Sequence, residues 1–344
     1  MPVLPAARLR RGLAVDGRSF AIGVVVTTVL WCGSLAFVSW SSTAKVDASV
    51  ANGAGFASAD IDWAIVLRET PDPVAVPDPI FRTRLAATGL PWLVQDKTSG
   101  VQLVLIPPGK YIRGAIPMDS VGQFEERPQH EVTITRPFYL GRHEVTNFEY
   151  RRHKRGHHSG DFKGLTLNGP EQPVVLVSWT EASEFCRANG LRLPTDGEWE
   201  YAARAGVTDR FLWGRDPGGG KGFLNGTDQK TQAKFEWYPD SFPFDDGFLV
   251  SSHAGYFRAN GFGLHDVQGN AWEWCSDWFN EREFQQYQDR PAIDPRGPDS
   301  GSERTCRGGS WGNGPRGLRL STRRGCPPGL RDVLVGFRVA RSVR

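Results

Sequence analysis

The stretch GFGLHDVQGNAWEWCSDW, Gly261 to Trp278, places three glycines, two side-chain amides, three acids and three tryptophans in eighteen positions. It is too polar for a simple core strand and too aromatic for a solvent loop. Side chains alternate along a strand, so Trp272 and Trp274 face one way while Ala271 and Glu273 face the other. An acid held among indoles, away from water, needs a partner. Asp266, Glu273 and the bare backbone around Gly269 offer hard oxygens of the kind calcium takes. The alternative is an aromatic core strand in which Glu273 pairs with an arginine.

The remaining composition fits a fold built around such anchors. Forty glycines, 24 prolines and 12 tryptophans imply many turns and short strands rather than long helices. The formal charge of +3 comes from interspersed acids and bases, which gives no nucleic-acid footprint. Five cysteines, one of them in an apolar segment, do not make a disulfide framework. Cys275 and Cys306 could bond in an oxidising compartment, but the expectation is that they do not.

The N-terminal region reads as a membrane anchor. Phe20 to Trp40 carries no charged residue, long enough to cross a bilayer and longer than the apolar core of a cleaved leader. Arg8, Arg10, Arg11 and Arg18 precede it, and Asp47, Asp60 and Asp62 follow it. This asymmetry predicts a cytoplasmic tail over 1–19, a transmembrane helix over 20–41 and an extracytoplasmic remainder. Residues 42–90, with the run PDPVAVPDP, read as a Pro- and Ala-rich linker. From 91 to 341 the texture is that of a folded domain.

Within that domain VQLVLIPPGKYIRG and HEVTITRPFYLGRHEVT read as strands broken at Gly and Pro. Three capping boxes predict short helices: Thr146 with Glu149, Ser178 with Glu181, and Thr195 with Glu198. No helix is expected after Gly206. His153, His157 and His158 cluster, but Gly156 separates them, and a solvated basic turn is the expected reading.

The segments EVTNFEY (144–150), QPVVLVSW (172–179), RLPTDGEWEYAARAG (192–206), GNAWEW (269–274), RGGSW (307–311) and GFRVAR (336–341) carry a resemblance. In order and spacing they are similar to the formylglycine-generating enzyme, or sulfatase-modifying factor, family. The resemblance implies an α+β, C-type-lectin-like fold with little regular secondary structure and structural calcium. It implies two calcium sites: Asn225, Gly226, Asp246 and the Phe248 carbonyl, then Asp266, the Gly269 and Ala271 carbonyls and Glu273. Trp272 and Ser310 stand where the family's oxygen pocket would be.

The family's aerobic enzymes hold copper on two cysteines shortly after the GGS motif. Here that stretch reads GGSWGNGPRGLRLSTRRG, without either cysteine, so copper is not expected. Cys306 and Cys326 flank the gap and are not expected to replace the pair. A second branch of the family uses iron on histidines of an extra helical domain, which this chain lacks.

The expected function is therefore that of a membrane-anchored, calcium-stabilised module binding a protein or small ligand at its C-terminal cleft. Asn313, Arg316, Arg319, Leu330, Asp332 and Leu334 are the candidate contacts. An alternative is a formylglycine-generating or related metal-dependent oxidase that matures another protein or a metabolite. Another arises because 312–335 contains no Lys, Glu, Gln, Met or Trp. That restriction resembles the variable proteins of diversity-generating retroelements.

Overall fold

The structure is a computed structural model that describes residues 61–235 and 240–343. The expected tail and transmembrane helix, residues 1–41, lie outside the described residues. Among the described residues no helix is long and apolar enough to cross a membrane.

The first departure from expectation is where the fold begins. Strand β1 (Ala64–Arg68) pairs antiparallel with β2 (Leu93–Asp96), so much of the presumed linker belongs to the domain. The proline-rich run is a turn whose Val76 is fully buried, and it leads into helix α1 (Pro79–Ala86). Asp78 caps that helix by accepting from the Ile80 N–H, and Pro79 supplies the preset φ of a first helical position. Proline and alanine read as linker chemistry here because apolar residues are sparse, yet Val76 and Leu85 suffice to seat the segment on the core.

β2 continues to β3 (Gln102–Ile106), which pairs with β6 (Phe138–Gly141), and β14 (Ala340–Ser342) closes that five-stranded sheet. β3 is almost wholly buried because the sheet is covered on both sides. β4 (Gly109–Arg113), β5 (His130–Ile134) and β10 (Ala292–Ile293) make a second, three-stranded sheet. Asp161–Phe162 (β7) and Leu165–Thr166 (β8) form a two-residue ribbon.

The three capping boxes are present as read. α2 (Asn147–His153), α3 (Trp179–Ala188) and α4 (Asp196–Arg204) each carry both reciprocal bonds, and Gly190 and Gly206 follow the last two with positive φ. A fifth helix, α5 (Gln229–Phe235), corrects the expectation of none after Gly206. Its start is set by Asp228, whose carboxylate accepts from the Thr231 N–H at 2.7 Å. The residues just before it, Asn-Gly-Thr, read as a turn and mask it.

The opening stretch forms β9 (Trp272–Trp278), an inner strand of the sheet that also holds β11 (Arg304–Arg307), β12 (Arg323–Cys326) and β13 (Val335–Gly336). Between this sheet and α4 runs a buried charge network. Asp196 of α4 meets Arg113 at 2.7 Å, Arg307 at 3.0 Å and Arg323 at 2.7 Å, and Glu283 pairs with Arg323 at 2.6 Å. Arginine suits this place because its planar fork satisfies several acceptors without deprotonating. These contacts fix the N-terminal end of β9, where the candidate site lies.

Candidate functional site

Glu273 is fully buried, and both its oxygens are taken by side chains. Arg338 donates through Nε to Oε2 at 2.5 Å and through Nη2 to Oε1 at 2.6 Å, and the Trp199 indole donates to Oε2 at 2.6 Å. The arginine pairing open in the sequence is the arrangement found. Trp199 is a core aromatic and also holds this carboxylate. Arg338 further donates to the carbonyls of Gly141 and His265, so it ties β6 to the loop before β9.

That loop runs from Asp266 to Asn270, and both end residues have positive φ. Gly269 is required, since a Cβ there would lie 2.0 Å from the Asn225 carbonyl oxygen. The close approach joins the two predicted calcium segments, because the Asn270 N–H donates to Asn225 O at 2.9 Å. Asp266 is buried; its Oδ2 accepts from Gly255 N–H, and its Oδ1 meets no donor. Burial lifts the Asp266 carboxyl to about 6.

Glu144, which the sequence did not single out, lies within electrostatic reach of Asp266. It is fully buried, its Oε1 accepts from Asn270 Nδ2 at 3.0 Å, and its Oε2 has no donor. Burial, then the charges of Asp266 and Glu273, push its carboxyl well above the usual range. Ala271 turns its methyl into a small apolar cluster with Trp311 and Val175.

In the first predicted site, Asp246 accepts from the N–H groups of Gly226 and Phe248 at 3.0 and 2.8 Å. Asn225 turns its amide toward Val250 O. Burial raises the Asp246 carboxyl to about 7. Asp228 and Asp245 bring further carboxylate oxygens within 4.8 Å, a donor set suited to a hard cation. Asp228, three residues after Asn225, is the neighbour the sequence reading missed.

On the C-terminal face the Asn313 amide oxygen accepts from Trp272 Nε1 at 2.9 Å and from the Ser310 N–H and hydroxyl at 3.1 and 2.8 Å. Trp272 and Ser310 are thus joined through Asn313. Arg316 is exposed. Arg319 is not on the surface: it is 2% exposed and forks onto Glu126, with Nη2 to Oε1 at 2.6 Å. Asp332 accepts from the Leu334 N–H, and Leu330 and Leu334 pack against the core. The segment is a braced frame more than a row of free side chains.

The four described cysteines are buried and unbonded, with the Cys306 and Cys326 thiols in mutual contact on β11 and β12. The histidines diverge: His157 bonds Val175 O, His158 accepts from Gly160 N–H, and His153 packs on Phe185. Two grooves open elsewhere. One of about 880 Å³ lies between α3 and Arg136, Asp294 and Arg296; another of about 670 Å³ is bordered by His143, His253, Gly255, Phe148 and Tyr256.

Residues 92–343 match the model of the sulfatase-modifying factor enzyme 1-like domain. The formylglycine-generating enzyme of Streptomyces coelicolor is 42% identical over 144 residues, covering 41% of this chain and 43% of that protein. The inactive C-alpha-formylglycine-generating enzyme 2 of Mus musculus is 34% identical over 179 residues, half of each chain. The chain thus spans half or less of the length of these curated relatives. The structure of PvdO from Pseudomonas aeruginosa superposes with a TM-score of 0.60 at 26% identity, covering 73% of this chain and 97% of that one.

Proposed function

We propose that this chain, which belongs to the sulfatase-modifying factor family, is a calcium-stabilised binding member that does not generate formylglycine. The observation that carries the reading is the Asn313 amide between Trp272 and Ser310. An amide oxygen is a hard donor, whereas soft Cu(I) takes thiolates. The nearest thiols, Cys306 and Cys326, are inside the sheet. Calcium, bound at the Asp246 loop and near Asp266, would neutralise acids whose carboxyls burial raises. The C-terminal face around Arg316 would then meet a protein or small ligand. An anchor over 20–41 would hold the domain outside the cytoplasm, a reading supported by the charges that flank Phe20 to Trp40.

The test is direct. The full chain, loaded with Cu(I) under air, is incubated with a cysteine-containing sulfatase peptide and followed by mass spectrometry. The peptide is expected to keep its thiol. Conversion to the aldehyde would overturn the reading and favour the oxidase alternative, which the relative at 42% identity supports.

A further inference from the structure

We propose that the groove of about 880 Å³ beside α3 is a binding site for a small organic oxyanion, a ligand carrying two or more carboxylate or phosphate groups on an apolar body. The groove is separate from the C-terminal face. Ser276 borders it, whereas Trp272 meets Asn313, and these two positions on β9 stand about 13 Å apart along a strand. Its volume falls in the range of small-molecule sites, roughly 300–1,000 Å³.

Its charge carries the inference. Arg136 precedes β6, Arg187 stands in the last turn of α3 and Arg296 follows β10, so three separate segments each bring an exposed arginine to one groove. Among the described residues none of these three guanidiniums has an ion pair or a side-chain hydrogen bond. The acids that line the groove are already engaged: both Glu198 oxygens accept from Arg192 at 2.7 Å, and Asp294 Oδ1 accepts from the Thr135 N–H at 2.9 Å. Four arginines against two acids leave the lining with two net positive charges.

The rest of the lining asks for a hydrocarbon body. Trp179, Phe138, Leu191 and Leu193 contribute to it. The indole of Trp179 is held in place, since its N–H donates to the Cys275 carbonyl at 2.8 Å and the Arg304 guanidinium lies 3.8 Å from its ring centre. A guanidinium fork matches carboxylate and phosphate geometry and stays charged at any ordinary pH. An inorganic ion would meet the arginines alone, and a neutral apolar molecule would leave them unmatched. Only an anion with an apolar body uses both parts of the groove.

The experiment is calorimetric titration of the full chain with isophthalate and phenyl phosphate, against malonate, benzyl alcohol and benzylammonium. The better of the two aromatic anions is expected to bind about tenfold or more tighter than benzyl alcohol, and which of them binds better identifies the preferred oxyanion. Malonate, two carboxylates without a ring, should bind about fivefold or more weaker than isophthalate, and benzylammonium should not bind. Arg187→Gln and Arg296→Gln should each weaken the anion about fivefold or more, while Arg155→Gln, on an exposed turn elsewhere, leaves it within about twofold. Both replaced side chains are exposed, so the melting temperature should hold and report that the variants are folded. Equal affinity for the anions and benzyl alcohol, or unchanged affinity in the Arg187→Gln, Arg296→Gln double variant, overturns the inference. Anion binding lost only in Arg316→Gln also overturns it and leaves the reading of the C-terminal face intact.

Discussion

Replacing Arg338 by Met tests whether Glu273 is a structural ion-pair partner. Arg338 is fully buried and makes two bonds to Glu273 and one each to the carbonyls of Gly141 and His265. Its loss leaves a carboxylate with only the Trp199 indole as donor. Breaking a buried pair on one side costs about 3–5 kcal/mol. A domain of this size shifts by roughly 2–4 °C per kcal/mol, which gives a fall of roughly 6–20 °C in Tm. Glu273→Gln should cost less, because an amide oxygen can still accept from Arg338 Nε and the Trp199 indole, which share one oxygen. The double variant Glu273→Gln with Arg338→Met removes both charges at once and should recover part of the loss. The assay is calorimetric melting of all four proteins, in chelator and in saturating calcium. Strictly additive losses, or a Glu273→Gln penalty confined to the calcium-loaded protein, would refute the pairing argument and make Glu273 a metal ligand.

Three further outcomes follow from single positions. Asp277 is lifted to about 7 by burial and then by the charges of Asp196 and Glu283, so its folded value stands above that of an unfolded aspartate, about 3.9. The folded protein therefore holds an extra proton, its contribution is complete below pH about 4 and is lost as pH rises through about 7, and Asp277→Asn should flatten the Tm–pH profile over that window; equal slopes would contradict it. Gly269→Ala should destabilise by about 2 kcal/mol or more, since the position combines φ +87° with a Cβ 2.0 Å from Asn225 O. Gly156→Ala, with nothing within 4 Å, should be neutral or stabilising by up to about 1 kcal/mol in denaturant unfolding, and similar effects at both positions would show that the loop yields.

Much of the fold was legible because it rests on local signals. A capping box is complete within four residues, so α2, α3 and α4 were readable from Thr146, Ser178 and Thr195 alone. β9 was readable because three tryptophans at even spacing need a buried strand. The start of the domain was not, because β1 is decided by pairing with β2 across the turn at Val76 and helix α1, and proline-rich composition outweighed one strand of five residues. Arg319 failed for a related reason. Its arginine-rich surroundings suggested a surface, and the acid that draws it inward, Glu126, lies 193 residues earlier.

The candidate site shows where such reading ends. Asp246 and Asp266 each stand beside a glycine, so each could be named from one segment, but the groups that reach them could not. Whether an acid is free to bind an ion depends on what else reaches it, and that is a tertiary fact. Glu273 and Glu144 look interchangeable as letters, each an acid beside apolar residues in a strand-like setting. The fold separates them: Arg338 arrives at one from 65 residues downstream, while the other is met on one oxygen by Asn270, 126 residues away, and left open on the second. Residue type gave the acids, and their partners came only with the fold. The acid satisfied by an arginine stabilises the strand, and the other keeps one buried oxygen without a donor.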